Sequence, residues 1–456
     1  MSSKYPAQAT PVLDSSYRTV WRWHFYAGVI VMPFLLLLSL TGGIYLFKDE
    51  IERLAHHQLL LVAISAPQAT PDDWVVTAQT AAGGKATRVN LPASDSEAVQ
   101  ISVERPDGSR LRAFVNPYTA DLTGISPDEG VTELVRDLHS LSVFGGSLGK
   151  ALNIIVEIVA GWAIILCSTG IYLWWPRRRG GAVLIPRESD VRRRPFWRDL
   201  HALTGFYTAG IIAFLAVTGM PWSAVWGDRF MGVMRTTALG RPPAPAESTP
   251  WTPSAPHHGS APLGWTMEGT GLARDASSVG APSLKRVIES TDAQKMARPL
   301  VISIPRDLSQ TWTVSTQPQR VEDTRILYVE PSSGAVKADV RYAEFGPMAK
   351  GMEWGILVHQ GMQYGWINRI VMLAGCVGIW LLCISGAVMW WKRRPPRLSP
   401  LRSGAPPSLP DARYRGVLAI VTPLAILYPL TGASLLVALL ADAFLSGRLG
   451  RNRPVK

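Results

Sequence analysis

Cysteine is nearly absent: Cys167, Cys376 and Cys383 are the three in 456 residues. All fall inside long apolar runs and no Cys-x-x-Cys occurs, which excludes a disulfide framework in the external regions and leaves a thiolate-built metal site the lesser reading. The three thiols read as small packing residues. The chain also lacks a glycine-rich dinucleotide fingerprint and any visible flavin site, so it carries no nicotinamide-binding domain of its own. Acidic residues are scarce within the apolar runs. Glu157 is the clearest, and a single carboxylate is a thin basis for ion coupling, which weighs against a permease.

What the chain has is apolar length. Mean hydropathy is +0.12, and the chain is too long for one compact core. Five stretches, 24–47, 153–175, 200–222, 369–391 and 415–440, each approach or exceed the roughly 20 residues that cross a bilayer. The net charge of +12 is concentrated in two connectors. Residues 176–199 hold Arg177, Arg178, Arg179, Arg187, Arg192, Arg193 and Arg194; residues 392–414 hold Lys392, Arg393, Arg394, Arg397 and Arg402. These clusters abut Trp-Trp pairs at helix ends, the pattern of a membrane anchor in a lipid bilayer and not of a nucleic-acid patch. The positive-inside rule puts both connectors in the cytoplasm. The N-terminal segment 1–23 is then inside, while 48–150, 223–367 and the tail 441–456 are outside. The first run is too long for a cleaved signal and no small-residue site follows it, so it reads as a retained anchor.

The runs are related to one another. Trp21-Arg22-Trp23-His24 opens the first, and Trp197-Arg198-Asp199-Leu200-His201 opens the third. His24 precedes Thr41-Gly42 by 17 residues, and His201 precedes Thr218-Gly219 by 17. The second run is approached through Leu138-His139 and leaves through Ser168-Thr169-Gly170 to Trp174-Trp175-Pro176-Arg177. The fourth is approached through Val358-His359 and leaves through Ser385-Gly386 to Trp390-Trp391-Lys392-Arg393. His139 stands 30 residues before Thr169 and His359 stands 26 before Ser385, a difference of about one helical turn. Helix, external region, histidine and helix are thus written twice in the same orientation, as in parallel repeats about an axis along the membrane normal. The fifth run is a partial third copy, with Tyr414 in the place of the histidine.

Four of the eight histidines therefore stand in two matched pairs. His24 and His201 lie at the cytoplasmic ends of outward-running helices, His139 and His359 at the external ends of inward-running ones. Two neutral imidazoles at one depth are what a bis-histidine haem needs, and filling both axial positions favours electron transfer over oxygen binding. Depth predicts one haem between His24 and His201 and a second between His139 and His359, at most ~25 Å apart along the helices. Arg18, Arg22 and Arg198 flank the first pair and Arg136, Lys150 and Arg369 the second, as cations for haem propionates. Gly28, Gly42, Gly205 and Gly219 would let a macrocycle or a helix approach closely. His56 and His57 read as surface-helix residues, and His257 and His258 as solvated.

Each external region predicts a small α+β module. The first offers a helix from Asp72 to Ala82, strands near 86–91, 98–104 and 111–115, and the closing turn Asn116-Pro117-Tyr118-Thr119-Ala120. The second offers a helix, strands near 300–304, 311–316 and 325–329, and the turn Glu330-Pro331-Ser332-Ser333-Gly334. Residues 240–281, rich in Pro, Gly, Ser and Ala, read as a flexible loop. The expectation is a mainly α-helical membrane bundle of five transmembrane helices with a parallel internal repeat and two external α+β modules.

The Trp-Arg-x-His start, the Thr-Gly pairs, the Leu-His approach and the Trp-Trp-Pro-Arg exit resemble the PepSY-associated transmembrane family across nearly the whole chain. That resemblance implies a protein of the bacterial inner membrane with periplasmic PepSY modules. PepSY modules commonly close with an Asp-Pro-x-Thr-Gly-like turn; the first turn here lacks the Gly, and the second lacks the Asp and Thr. Members include iron-regulated proteins and ferric-siderophore reductases with two b-type haems. The resemblance therefore implies two haems b per chain, a ferric siderophore or other ferric chelate as substrate, and reduction outside the membrane. Reduction weakens iron's hold on hard oxygen ligands, so one-electron transfer suffices to release it. The cytoplasmic connectors are too short for a reductase domain, and the donor is a separate carrier, a quinol or a cytoplasmic reductase. The alternative is a non-enzymatic membrane protein whose PepSY modules bind a periplasmic peptide or protein partner.

Overall fold

A computed structural model of the chain describes residues 15–175, 185, 187–242, 248–250, 271–273, 281–306, 310–393 and 415–451. Arg177, Arg178, Arg179, Arg394, Arg397, Arg402, Tyr414, His257, His258 and most of the 240–281 loop lie outside the described residues. The helices are α1 (Ser15–Tyr45), α2 (Lys48–Ala55), α3 (His57–Leu60), α4 (Pro71–Ala82), α5 (Val131–Ser140), α6 (Gly146–Trp174), α7 (Arg194–Gly219), α8 (Trp226–Thr236), α9 (Leu284–Ala293), α10 (Pro347–His359), α11 (Gly365–Arg393), α12 (Arg415–Leu427) and α13 (Pro429–Arg451). The strands are β1 (Lys85–Leu91), β2 (Val99–Glu104), β3 (Arg110–Val115), β4 (Leu122–Pro127), β5 (Ser248–Pro250), β6 (Gly271–Ala273), β7 (Leu300–Ser303), β8 (Trp312–Thr316), β9 (Arg325–Val329) and β10 (Val336–Arg341). The chain divides into two compact units, Met1–Ser39 with Ile154–Trp226 and Ala374–Lys456, and Leu40–Asn153 with Gly227–Leu373.

Among the described residues, four helices are long and apolar enough to cross a membrane: Ser16–Tyr45, Gly146–Trp174, Arg194–Trp222 and Gly365–Arg393. They cover four of the five apolar runs. The fifth run is two helices, α12 and α13, parted at Tyr428. Pro429 has no N–H to give the Ala425 carbonyl, and its ring crowds that oxygen, so the helix restarts with proline in its first turn. In the first unit, Val20, Ala27 and Val31 of α1 pack on Val159, Trp162 and Ile165 of α6, Val421 of α12 and Leu435 of α13. Ala163, Ile212, Ile379 and Cys383 form a second cluster. The three cysteines are unpaired, and Cys376 and Cys383 are buried as packing residues.

In the second unit the two expected α+β modules are joined edge to edge. Its strands form one eight-stranded antiparallel sheet in the order β10-β9-β8-β7-β1-β2-β3-β4. The halves join through β1 and β7, with Val89 opposite Ile302 and Leu91 opposite Leu300. One core holds it, with Trp74, Ala78 and Ala82 of α4 and Leu284, Val287 and Ile288 of α9 against the strands. Each large apolar side chain buried there contributes about 1.5–3 kcal/mol. Strands β4 and β10 are edge strands missed by the sequence reading, because their residues are mostly exposed or half-buried and show no clean alternation.

Two turns at the strand ends match closely. Ala120 N–H donates to Asn116 O at 2.9 Å, and Gly334 N–H donates to Glu330 O at 2.8 Å. Both closing residues are left-handed, Ala120 at φ 61° and Gly334 at φ 77°.

Charge in this unit is buried where none was expected. Arg112 of β3 donates Nε to Asp128 Oδ1 at 3.1 Å and Nη1 to Glu52 Oε2 at 3.4 Å, and lies 3.7 Å from Glu133 Oε1. His56 joins the same group, its Nδ1 3.2 Å from Glu52 Oε2 and its side chain 14% exposed. It is therefore largely buried, contrary to the surface reading, whereas His57 is exposed. Glu52 follows α1, and Glu133 opens α5, so this cluster ties both to the sheet.

Candidate functional site

Each of the four matched histidines has a defined seat. His24 is on α1 and His201 on α7. Their ring centroids are 6.4 Å apart and their planes 87° to one another. His139 sits in the last turn of α5 and His359 ends α10. Their centroids are 6.5 Å apart, with planes at 89°. The structure thus brings together His24 with His201 and His139 with His359.

The second partner of three of the rings accounts for three of the recurring hydroxyl-glycine pairs. His24 Nδ1 lies 2.8 Å from Thr169 Oγ1. That hydroxyl gives its hydrogen to the Ile165 carbonyl at 2.7 Å, so it accepts from the imidazole, which puts the proton on Nδ1. His201 Nδ1 is 3.1 Å from the Leu382 carbonyl and 3.0 Å from Ser385 Oγ. A carbonyl only accepts, and the same tautomer follows. In both rings Nε2 is then the nitrogen with a lone pair for a metal. His139 Nδ1 lies 2.9 Å from Thr41 Oγ1. The glycine after each hydroxyl makes room for the ring. A Cβ on Gly170 would sit 3.4 Å from His24 Cε1, one on Gly42 3.3 Å from His139 Cε1, and one on Gly386 3.7 Å from His201 Cε1.

Sequence reasoning used these pairs only as markers of a repeat and missed Thr41, Thr169 and Ser385 as holders of the histidines. Their fixed spacing was the available signal. Gly42 seats an imidazole, while Gly28 and Gly205 face Leu166 and Leu382 and serve helix packing. His359 lies outside the apolar spans; burial first, and the adjoining His139, push it down to about 3. It stands neutral at physiological pH, the form that ligates a metal.

The arginines are less direct. The Arg22 guanidinium lies 5.5 Å from the centre of the Tyr26 ring. Arg198 pairs with Asp199 at 2.8 Å. Arg136 pairs with Asp137 at 3.2 Å, and Arg369 with Glu50.

Whether these residues suit a haem is tested by distance. Two iron–imidazole bonds of about 2 Å, each continued to its ring centre, put the centroids of a bis-histidine site about 6.3 Å apart. Both pairs match. Each ring whose Nδ1 is held by a neighbour is also oriented as metal-bound histidines are. Among the described residues no group of three or more His, Cys, Asp or Glu is placed to hold a metal ion. A haem brings four nitrogens of its own and asks for two, so the residues fit it. A cavity of about 10 Å³ lies beside His24, lined by Trp23, Ala27, Trp162, Ile165, Thr169, Val421 and Leu435. It is no larger than a water site.

No curated protein matches the chain. Residues 21–393, which include all four matched histidines, match the family model of the PepSY-associated TM region. With that match over most of its length, and four helices able to cross a bilayer, the protein is a membrane protein of the PepSY-associated TM region family.

Proposed function

We propose that the protein is a di-haem reductase of the bacterial inner membrane that passes electrons to a periplasmic ferric chelate, a ferric siderophore above all, and so releases its iron. The observation that carries this reading is the geometry of the two histidine pairs, each at the separation a six-coordinate iron imposes. His24 and His201 hold one haem b and His139 and His359 the other. Bound there, a haem supplies one-electron transfer.

The chain's own residues do the rest. Thr169, Ser385 and Thr41 hold Nδ1 and turn the opposite nitrogen to the iron. Gly170, Gly386 and Gly42 admit the rings. Arg22 and Arg198 meet the propionates of the first haem, which requires Arg198 to share its guanidinium with Asp199. Neutral histidines keep the haem's charge low enough for an apolar bundle. In this reading the chain has five spans and an N-terminus inside, the basic connectors set that orientation, and residues 48–150 and 223–367 form the periplasmic PepSY-like sheet. The donor is a separate quinol or cytoplasmic reductase.

The test is a purification after haem-supplemented expression, with pyridine haemochrome quantification, followed by reconstitution in vesicles. Two haems b per chain, reduced by dithionite and reoxidised by an added ferric siderophore, are expected. A colourless protein would overturn the reading and leave the spans as anchors for a peptide-binding sheet. Reoxidation at the wild-type rate in a His359→Ala protein lacking its haem would overturn electron exit through the His139–His359 pair.

A further inference from the structure

Glu157 has no part in the haem sites, yet it is 1% exposed in the middle of an apolar span. Ionisable groups so placed are retained for a function more often than for packing. Its Oε2 accepts the backbone N–H groups of Val225 at 3.0 Å and of Trp226, the first residue of α8, at 3.1 Å. Its Oε1 is buried and has no hydrogen-bond partner. One turn further along α6 stands Gly161, and a Cβ there would collide with Thr431 Oγ1. Thr431 is fully buried, and its hydroxyl is likewise without a partner. These two orphaned oxygens, inside a membrane protein, each forgo a hydrogen bond of about 1 kcal/mol or more.

Thr431 belongs to α13 just after the break at Tyr428, where helices that stop inside a bilayer commonly build ligand sites. Trp226 Nε1 donates to the Leu427 carbonyl there at 3.0 Å, and the Trp226 and Tyr428 rings are 5.8 Å apart. Ile426 and Leu427, at 76% and 53% exposure, form the outer rim. These residues therefore offer a hydrogen-bond acceptor, a hydroxyl, two aromatic rings and exposed apolar side chains. A bare cation would ask for about six oxygens, and only two are on offer. A flat aromatic ring bearing hydroxyl donors and an apolar tail satisfies every feature.

We propose that Glu157, Thr431 and Trp226 form the head-group site of a lipid-soluble quinol, the electron donor of the reductase, and the proposal rests on that reading. One quinol hydroxyl donates to Glu157 Oε1, the other oxygen meets the Thr431 hydroxyl, and the ring lies against Trp226. Oxidation to the quinone breaks two O–H bonds and removes two electrons. Two ferric haems at the histidine pairs would each supply a one-electron acceptor; one proton goes to Glu157 Oε1, and the other goes to water. The stripe Glu157, Gly161, Ile165 and Thr169 runs along α6 at four-residue steps, and each of these residues is buried. It leads from the site to the residue that holds His24.

Photolabelling of the purified protein with an azido-ubiquinone, mapped by peptide mass spectrometry, tests the site without reference to haem. Label on residues 222–228 or 424–434, competed by decylubiquinone, is expected. Glu157→Gln and Thr431→Val each remove a hydrogen bond, to a charged and to a neutral partner, and should weaken labelling roughly tenfold or more. Stopped-flow reduction by duroquinol should slow at least ~100-fold in Glu157→Gln, which no longer takes the proton, while dithionite reduction stays complete. Label elsewhere, or labelling and quinol rates unchanged in both variants, overturns the proposal while leaving the reductase intact. Competed label at the site in a protein that proves colourless keeps the quinol site and overturns the reductase.

Discussion

The Nδ1 atom of His24 lies 2.8 Å from the hydroxyl of Thr169, 145 residues away on another helix. The arrangement is reciprocal. The hydroxyl-glycine pair of α1 does not serve the histidine of α1 but the one on α5, with Thr41 Oγ1 2.9 Å from His139 Nδ1. His24 of α1 is thus oriented by α6, and His139, which precedes α6, is oriented by α1, which makes the Thr-Gly pairs part of the site.

Removing those hydroxyls should therefore loosen one haem at a time. Thr169→Val keeps the side chain's shape and deletes the acceptor of His24, and Thr41→Val does the same for His139. Loss of an outer partner of this kind costs roughly 10- to 100-fold in metal affinity. Haem retained after dilution, followed by pyridine haemochrome, should fall in each variant. Wild-type retention in both would show that the hydroxyls only pack.

Ligand substitutions should sort by pair and not by repeat. His24→Ala and His201→Ala are expected to delete the same haem and leave the other, while His139→Ala and His359→Ala do the reverse. Low-temperature difference spectra and redox titration distinguish the two. If His24→Ala and His139→Ala were to remove the same haem, ligation by depth would be wrong.

Glycine substitutions should be graded by the space they fill. A Cβ on Gly42 would stand 3.3 Å from His139 Cε1, tight enough that the ring must move, whereas one on Gly386 would stand 3.7 Å from His201 Cε1, an ordinary contact. Gly42→Ala is expected to shift the spectrum or potential of the haem held by His139, and Gly386→Ala to leave both haems as they are. Equal effects from the two would sink this ranking.

The two matched turns should respond in opposite directions. Ala120 pays the left-handed cost of about 1–2 kcal/mol that glycine avoids, less about 0.5–1 kcal/mol for glycine's greater chain freedom. Ala120→Gly should therefore stabilise the sheet by about 0.5–1 kcal/mol. Gly334→Ala should destabilise it by more than that, since its Cβ would also stand 2.9 Å from Ser290 Oγ. Thermal unfolding of the two variants reads both signs.

Arg112→Ala should be the most damaging change in the sheet. It leaves Glu52, Asp128 and Glu133 without their shared cation, and breaking a buried charge network typically costs about 3–5 kcal/mol. A midpoint of unfolding within error of wild type would show that the cluster is solvated.

Apolar run length and positive clusters were enough to place four spans, because a bilayer demands about 20 apolar residues whatever the fold around them. Matched spacing singled out His24, His201, His139 and His359 in the sequence, and the structure sets these four in two ring pairs. Local periodicity also located β1, β2, β3, β7, β8 and β9 to within a residue or two, each having a buried face.

The partners of those residues were decided by tertiary structure alone. Which hydroxyl meets which imidazole depends on how helices 145 residues apart pack, and no local spacing carries that. The joining of β1 to β7 is a long-range pairing of two strands that each already had one neighbour in their own half. Burial of Arg112 and His56 depends on carboxylates brought from Glu52, Asp128 and Glu133, and a polar residue betrays its burial only through partners that folding supplies. Glu157 was legible as an oddity, but that one of its oxygens holds Val225 and Trp226 while the other finds no partner is set by how α6 packs.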